Sequence, residues 1–240
     1  MEKHMRGWGL GWTRQVPAWL CLALMAALAA CSKPDPTRIS FGEHPNNAVI
    51  LMRTGGTGIG YWLKLAVYDD TSHSIATGLW NGSQLFKVDP SPVPSYIALT
   101  VPPGTYAFQF IEQQNIWSLC FSNRSLAFTV NAGDAVFLGD FDARAHLKQL
   151  EELAIKHNEI KSFTGTMNDY FDPEILSPQI SAPGPTTPDF LAAKQYEAAA
   201  MPSLRGRLQP VRYRPANFGV GYLLTGQRIC GGVMKDKAAP

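Results

Sequence analysis

Asp140, Asp142 and His146 form the tightest group of potential metal ligands in the chain. Two carboxylates and an imidazole could hold a divalent cation, which would make the chain a metal-dependent enzyme. The same aspartates also suit the end of a strand and the cap of a helix, where orphan N–H groups need acceptors. Arg205, Arg207, Arg212 and Arg214, interleaved with Tyr213, are a second group. Guanidinium groups pair bidentately with carboxylate or phosphate, so this patch could bind an anionic ligand such as peptidoglycan or lipopolysaccharide. If 207–213 is a strand, Arg212 and Arg214 share one face. The run Thr54-Gly55-Gly56-Thr57-Gly58-Ile59-Gly60 lacks the Lys-Ser/Thr of a phosphate loop and leads into Tyr61-Trp62 and a strand. It reads as a mobile hairpin loop able to make contacts. Neither Gly-x-Ser-x-Gly nor His-Glu-x-x-His occurs, and no motif requires a cofactor. His157 lies near an apolar helical stripe and reads as structural, while His44 and His73 are isolated.

The elements that position these residues are mainly strands. Period-two alternation marks Ala48–Arg53, Tyr61–Tyr68, Ser74–Trp80, Gln84–Val88, Tyr96–Val101, Thr105–Ile111, Trp117–Phe121, Ser125–Val130 and Ala135–Leu138. Hairpin turns are expected at Pro102-Pro103-Gly104 and at Asn131-Ala132-Gly133-Asp134. A helix is expected over 142–161, capped by Asp142, with Leu147, Leu150, Leu153, Ala154 and Ile160 on one face. A Pro-rich connection over 164–187 leads to a second helix over 188–200, announced by Thr187-Pro188-Asp189. Further strands at Arg207–Tyr213, Gly219–Leu224 and Arg228–Cys230 complete one domain over 47–231, with a flexible tail at 232–240. The fold class expected is mainly β, an antiparallel sandwich with one amphipathic helix and a shorter second one.

The N-terminus carries the parts of an export signal. Lys3, Arg6 and Arg14 face one acid, Glu2, and residues 16–30 are uncharged and rich in Leu and Ala. That apolar run is shorter than the ~20 residues a membrane-spanning helix needs. Leu28-Ala29-Ala30-Cys31-Ser32 resembles a bacterial lipoprotein lipobox. The resemblance implies cleavage of a signal peptide over 1–30, lipidation of Cys31, and a polar tether over 31–46. Ser32, where an Asp would favour the inner membrane, resembles the outer-membrane class, facing the periplasm. Cys120 and Cys230 are then the two cysteines left in an oxidising compartment, and a disulfide between them is expected, free buried thiols being the alternative.

Removing residues 1–30 leaves 18 basic and 18 acidic side chains, so the chain is neutral and nucleic-acid binding is not expected. Charge is still uneven: residues 134–174 hold nine acids and four bases, residues 203–240 seven bases and one acid. These segments could face each other, or the basic one could meet an anionic envelope surface.

The Leu99–Phe110 stretch around Pro102-Pro103-Gly104 and the Phe128–Phe137 stretch around Asn131–Asp134 resemble turns of transthyretin-like and carboxypeptidase-regulatory-like sandwiches. The resemblance covers roughly 47–141 and implies a fold, with no function attached. The preferred reading is a lipid-anchored, non-catalytic interaction or scaffolding module with an envelope protein as partner and no implied oligomeric state. A binder of anionic envelope ligand through the arginines comes second, and the metal-dependent enzyme third.

Overall fold

Alternating apolar side chains need two different surroundings on their two faces, and the computed structural model provides them as stacked layers. The residues described are 36–41, 46–75, 83–114, 117–157, 168–171, 174–204, 206–222 and 228–231. Cys31, Arg205, Ile160, the leader 1–30 and the tail 232–240 lie outside them. The strands are β1 (Ala48–Thr54), β2 (Tyr61–Asp69), β3 (Ser74–Ile75), β4 (Gln84–Val88), β5 (Ser95–Val101), β6 (Gly104–Gln113) and β7 (Trp117–Cys120). They continue as β8 (Ser125–Val130), β9 (Ala135–Phe141), β10 (Asn168–Tyr170), β11 (Leu208–Pro210), β12 (Arg214–Ala216), β13 (Val220–Tyr222) and β14 (Arg228–Cys230). The helices are α1 (Arg144–Lys156) and α2 (Pro188–Ala200).

The first sheet runs β11-β9-β1-β5. The second is built on the antiparallel pair β2 and β6. β7 and β8 share the outer side of β6, extended by β10 and β12, while β3 and β4 share the outer side of β2. Ile50 and Met52 of β1 point to the core between the sheets, with Leu63, Phe86, Phe108 and Phe128. Val49 and Leu51 point the other way, under Phe190 and Ala193 of α2. Each fully buried side chain of this size contributes roughly 1.5–3 kcal/mol, so both faces of β1 are anchored.

Most of the expected strands form, but their partners differ from the simplest expectation. The Pro102-Pro103-Gly104 turn is no hairpin: β5 pairs with β1, and β6 with β2. Two consecutive prolines donate no N–H, so ladder pairing stops there and the chain crosses between sheets. Tyr106 Oη donates to Pro102 O at 2.8 Å and fixes the crossing, as a tyrosine corner does in other sandwiches. Residues 131–134 likewise carry the chain from β8 into the other sheet, with Asp134 Oδ2 accepting from Asn131 N at 2.8 Å. Because of these crossings the pairing is not wholly antiparallel: β9 runs parallel to β1 and to β11, and β10 parallel to β7.

α1 begins at Arg144, two residues later than expected, and is described through Lys156. Asp142 still serves its start, Oδ1 accepting from Arg144 N at 3.0 Å. Leu147, Leu150, Leu153 and Ala154 are buried on one face as the spacing predicts. α2 occupies 188–200 as expected, with Thr187 at its N-cap, although the Thr187 hydroxyl donates to Gly184 O at 2.9 Å and makes no capping bond to the helix. Among its described residues the Pro-rich connection holds a short strand, β10, that its sequence does not announce.

Cys120 and Cys230 form a disulfide, with Cα atoms 5.4 Å apart. It pins the β13–β14 hairpin to the outer side of the second sheet, where Ala66, Ala107 and Ala127 leave room for Phe218 and Cys230. Gln109 occupies a bulge: Lys64 pairs with Phe110 and Leu65 with Phe108. The extra residue turns Phe110 outward while Phe108 stays in the core, and Gln109 Nε2 donates to Cys230 O.

Candidate functional site

Where β1 ends, the glycine run carries the chain from one sheet to the other, and at Gly56 backbone must approach backbone. A Cβ on Gly56 would lie 2.1 Å from Pro92 O, so no other residue fits without displacing that loop. Gly55 N donates to Phe141 O at 2.9 Å and Gly58 N to Ser91 O at 3.0 Å. Gly58 has φ +71°, which glycine adopts without strain. Thr57 Oγ1 donates to Ile59 O at 2.7 Å and closes the tip. The run is therefore a packed crossover, not a free hairpin, and it holds Ile59 outward, 45% exposed.

Beside Ile59 lies a cleft of about 420 Å³ between this loop and α1. Ile59, Trp117, Leu147, Leu150 and Ala154 give it apolar surface, and Thr57, Gln113, Arg144, Lys148 and Glu151 give it polar surface of both signs. On the other side of the loop a depression of about 320 Å³ includes Ile59, Trp62, Lys87, Pro90 and Gln113. The two adjoin at Ile59 and Gln113 and make up an amphipathic groove region on either side of the loop tip. The indole Nε1 of Trp117 is buried without a hydrogen-bond partner among the described residues. Apolar floor, charged rim and a protruding isoleucine suit a peptide or protein segment that carries both characters.

The ionisable groups near this end have separate occupations. Arg144 Nε donates to Asp142 Oδ1 at 2.9 Å, and this bond holds the Asp142 carboxyl below its usual range. Asp140 pairs with Arg53 at 2.8 Å, yet burial outweighs the guanidinium and raises its pKa. His146 is fully buried between Phe121 and Phe141, its Nε2 accepting from Gln179 N at 3.0 Å. Desolvation lowers its pKa to about 4, against an opposing pull from Asp142. Asp140, Asp142 and His146 thus point to different partners. No group of three or more His, Cys, Asp or Glu among the described residues is placed to hold a metal ion. His146 is a core imidazole, and Asp142 a helix-start acceptor.

The arginine group is dispersed. Arg207 lies over the Phe41 ring at 5.5 Å, beside the first sheet. Arg214 is on β12 in the second sheet, ion-paired with Asp70 and over the Tyr68 ring at 5.8 Å. Arg212 is exposed between them, and Arg205 lies outside the described residues. The expected strand 207–213 exists only as Leu208–Pro210, because the chain leaves the first sheet there to reach the second. Tyr213 is a core residue: its ring packs on Phe108 and Phe128, and its hydroxyl donates to Leu138 O. Burial pushes that phenol well above its usual pKa.

Sequence reasoning found the glycine loop but not the groove. Trp117 reads as one more strand aromatic, and Leu147 and Leu150 as packing stripe. The signal that could have joined them is the position of Trp117 at a strand start, shortly after the polar residues Gln113 and Gln114. No family model matches the chain, and neither does any curated protein or solved structure. No helix among the described residues is long and apolar enough to cross a membrane.

Proposed function

We propose that the chain is a lipid-anchored module of a bacterial envelope, held through Cys31 at the periplasmic face of the outer membrane. Its task is to bind another envelope protein, and the groove beside the glycine loop is the contact site. The observation that carries this reading is Ile59, which a loop packed by close backbone contacts holds out of the core beside an amphipathic cleft. Burying such an isoleucine in a partner would contribute roughly 1–3 kcal/mol, while the charged rim sets orientation. Arg207, Arg212 and Arg214 support a single anionic-ligand site less well, since they are spread over two sheets. We read the two packed sheets as transthyretin-like. The crossovers at Pro102–Gly104 and Asn131–Asp134 support that likeness, and superposition of an experimental structure on that family tests it.

A photo-crosslinking residue placed at Ile59 in living cells tests the contact site. One discrete adduct is expected there and none from the same residue at Ser72, on the β2–β3 turn. Absence of an adduct from Ile59, Gln113 and Lys148 alike would overturn the assignment.

A further inference from the structure

Residues 36–41 are not the free tether that their polar, Pro-rich sequence predicts. Ile39 is buried with Met201, Leu204 and Leu208, and Phe41 packs against the same cluster. Ser203 Oγ donates to Ile39 O, and Thr100 Oγ1 to Ser40 O at 3.0 Å. The segment is docked on the layer formed by α2, the 3-10 turn Pro202–Leu204 and β11.

This docking shortens the leash. Four residues, 32–35, separate Cys31 from Pro36. Whatever path they take, fully extended chain keeps the two within about 17 Å. α2 itself is about 20 Å long. A bilayer that holds Cys31 is therefore tied by a short leash to Pro36, where the docked segment begins.

The chemistry of that layer is matched to a lipid surface. The side of α2 opposite Phe190, Ala193 and Glu197 presents Leu191, 48% exposed, together with exposed Lys194, Gln195 and Ala198. Exposed Arg38 and Arg207 lie in the docked segment and beside β11. Of the two acids on α2, Glu197 is buried, its Oε1 accepting from Leu208 N. Asp189 sits at the far end, accepting from Ser181 Oγ and Phe190 N at 2.9 Å each. Leu191 and Lys194 share the outer side of α2, and Arg38 and Arg207 add two more exposed cations to the layer, with no exposed acid on α2 itself, a charge balance that suits anionic lipid.

We infer that the outer face of α2, with Arg38, Lys194 and Arg207, rests on the phospholipid headgroups of the membrane that anchors the chain. The inference rests on the lipid-anchor reading above and adds to it the orientation of the domain.

The test uses the protein purified from membranes in detergent and returned to vesicles that carry a spin-labelled lipid. The mass of the peptide containing Cys31 first reports whether acyl chains are attached. A fluorophore on Leu191→Cys should then be quenched on phosphatidylethanolamine–phosphatidylglycerol vesicles, and much less on phosphatidylcholine. The same fluorophore on Ser72→Cys should stay unquenched on both. Adding Arg38→Glu and Arg207→Glu should deplete the quenched population, by about fivefold per cation lost. An acylated Cys31 with equal quenching at positions 191 and 72 would overturn the surface and leave the anchor standing. A Cys31 peptide without acyl mass would overturn the anchor, and the orientation with it.

Discussion

His146 shows how a residue that looks catalytic in sequence can be an acid-sensitive part of the core. Its folded pKa of about 4 lies below the ordinary 6.5, so the unfolded chain binds the extra proton first as pH falls. Stability is therefore full above about pH 6.5 and is lost progressively down to about pH 4, by at most roughly 3 kcal/mol. Urea midpoints at pH 7.5 and 4.5 should differ by that order. His146→Phe should flatten the difference, at a cost near 1 kcal/mol at pH 7.5 for the bond from Gln179 N. The glycine loop gives a second contrast at this scale. Gly56→Ala must move the Pro92 carbonyl and should cost about 1–3 kcal/mol, whereas Gly58→Ala meets no atom and loses only about 1 kcal/mol to its positive φ. Thermal melts of the two variants compare these directly, and only Gly56→Ala should also weaken crosslinking from Ile59.

Among the elements, the β13–β14 hairpin depends on one covalent bond. Cys120 and Cys230 close a loop of 110 residues, so replacing both by Ser should cost about 2–5 kcal/mol. Reducing and non-reducing peptide maps should differ at these cysteines, and in the double variant proteolysis beyond Phe218 should quicken. Strand existence was legible because alternation shows which residues share a face, as in Val49 and Leu51 against Ile50 and Met52. Alternation does not name the neighbouring strand, which is why two sheet crossings read as hairpins. Three-residue strands such as β10 and β12 carry too few positions to show a period, and Pro210 and Pro215 argue against pairing in sequence although both sit in the observed ladders. The groove escaped sequence reasoning for a related reason: its walls come from the 54–60 loop, the start of β7 and α1, and only the tertiary fold brings them together.

Within the unit that follows Pro34, the described residues stack in layers, with α2 outermost, the β11-β9-β1-β5 sheet beneath it, and the second sheet carrying the disulfide-bound hairpin on its far side. The proposed anchor is tested at this scale by Cys31→Ala: the variant should leave the membrane pellet and appear in the soluble fraction, while its urea midpoint should stay unchanged. β1 has a mechanical consequence in an anchored chain. Its first residue, Ala48, follows the docked segment 36–41 in sequence, and its last, Thr54, leads directly into the loop proposed to grip a partner. Tension between membrane and partner would then run along β1, flanked by β5 on one side and β9 on the other. The hydrogen bonds to both neighbours lie across that pull and share the load in shear, so they would have to fail together instead of opening one after another.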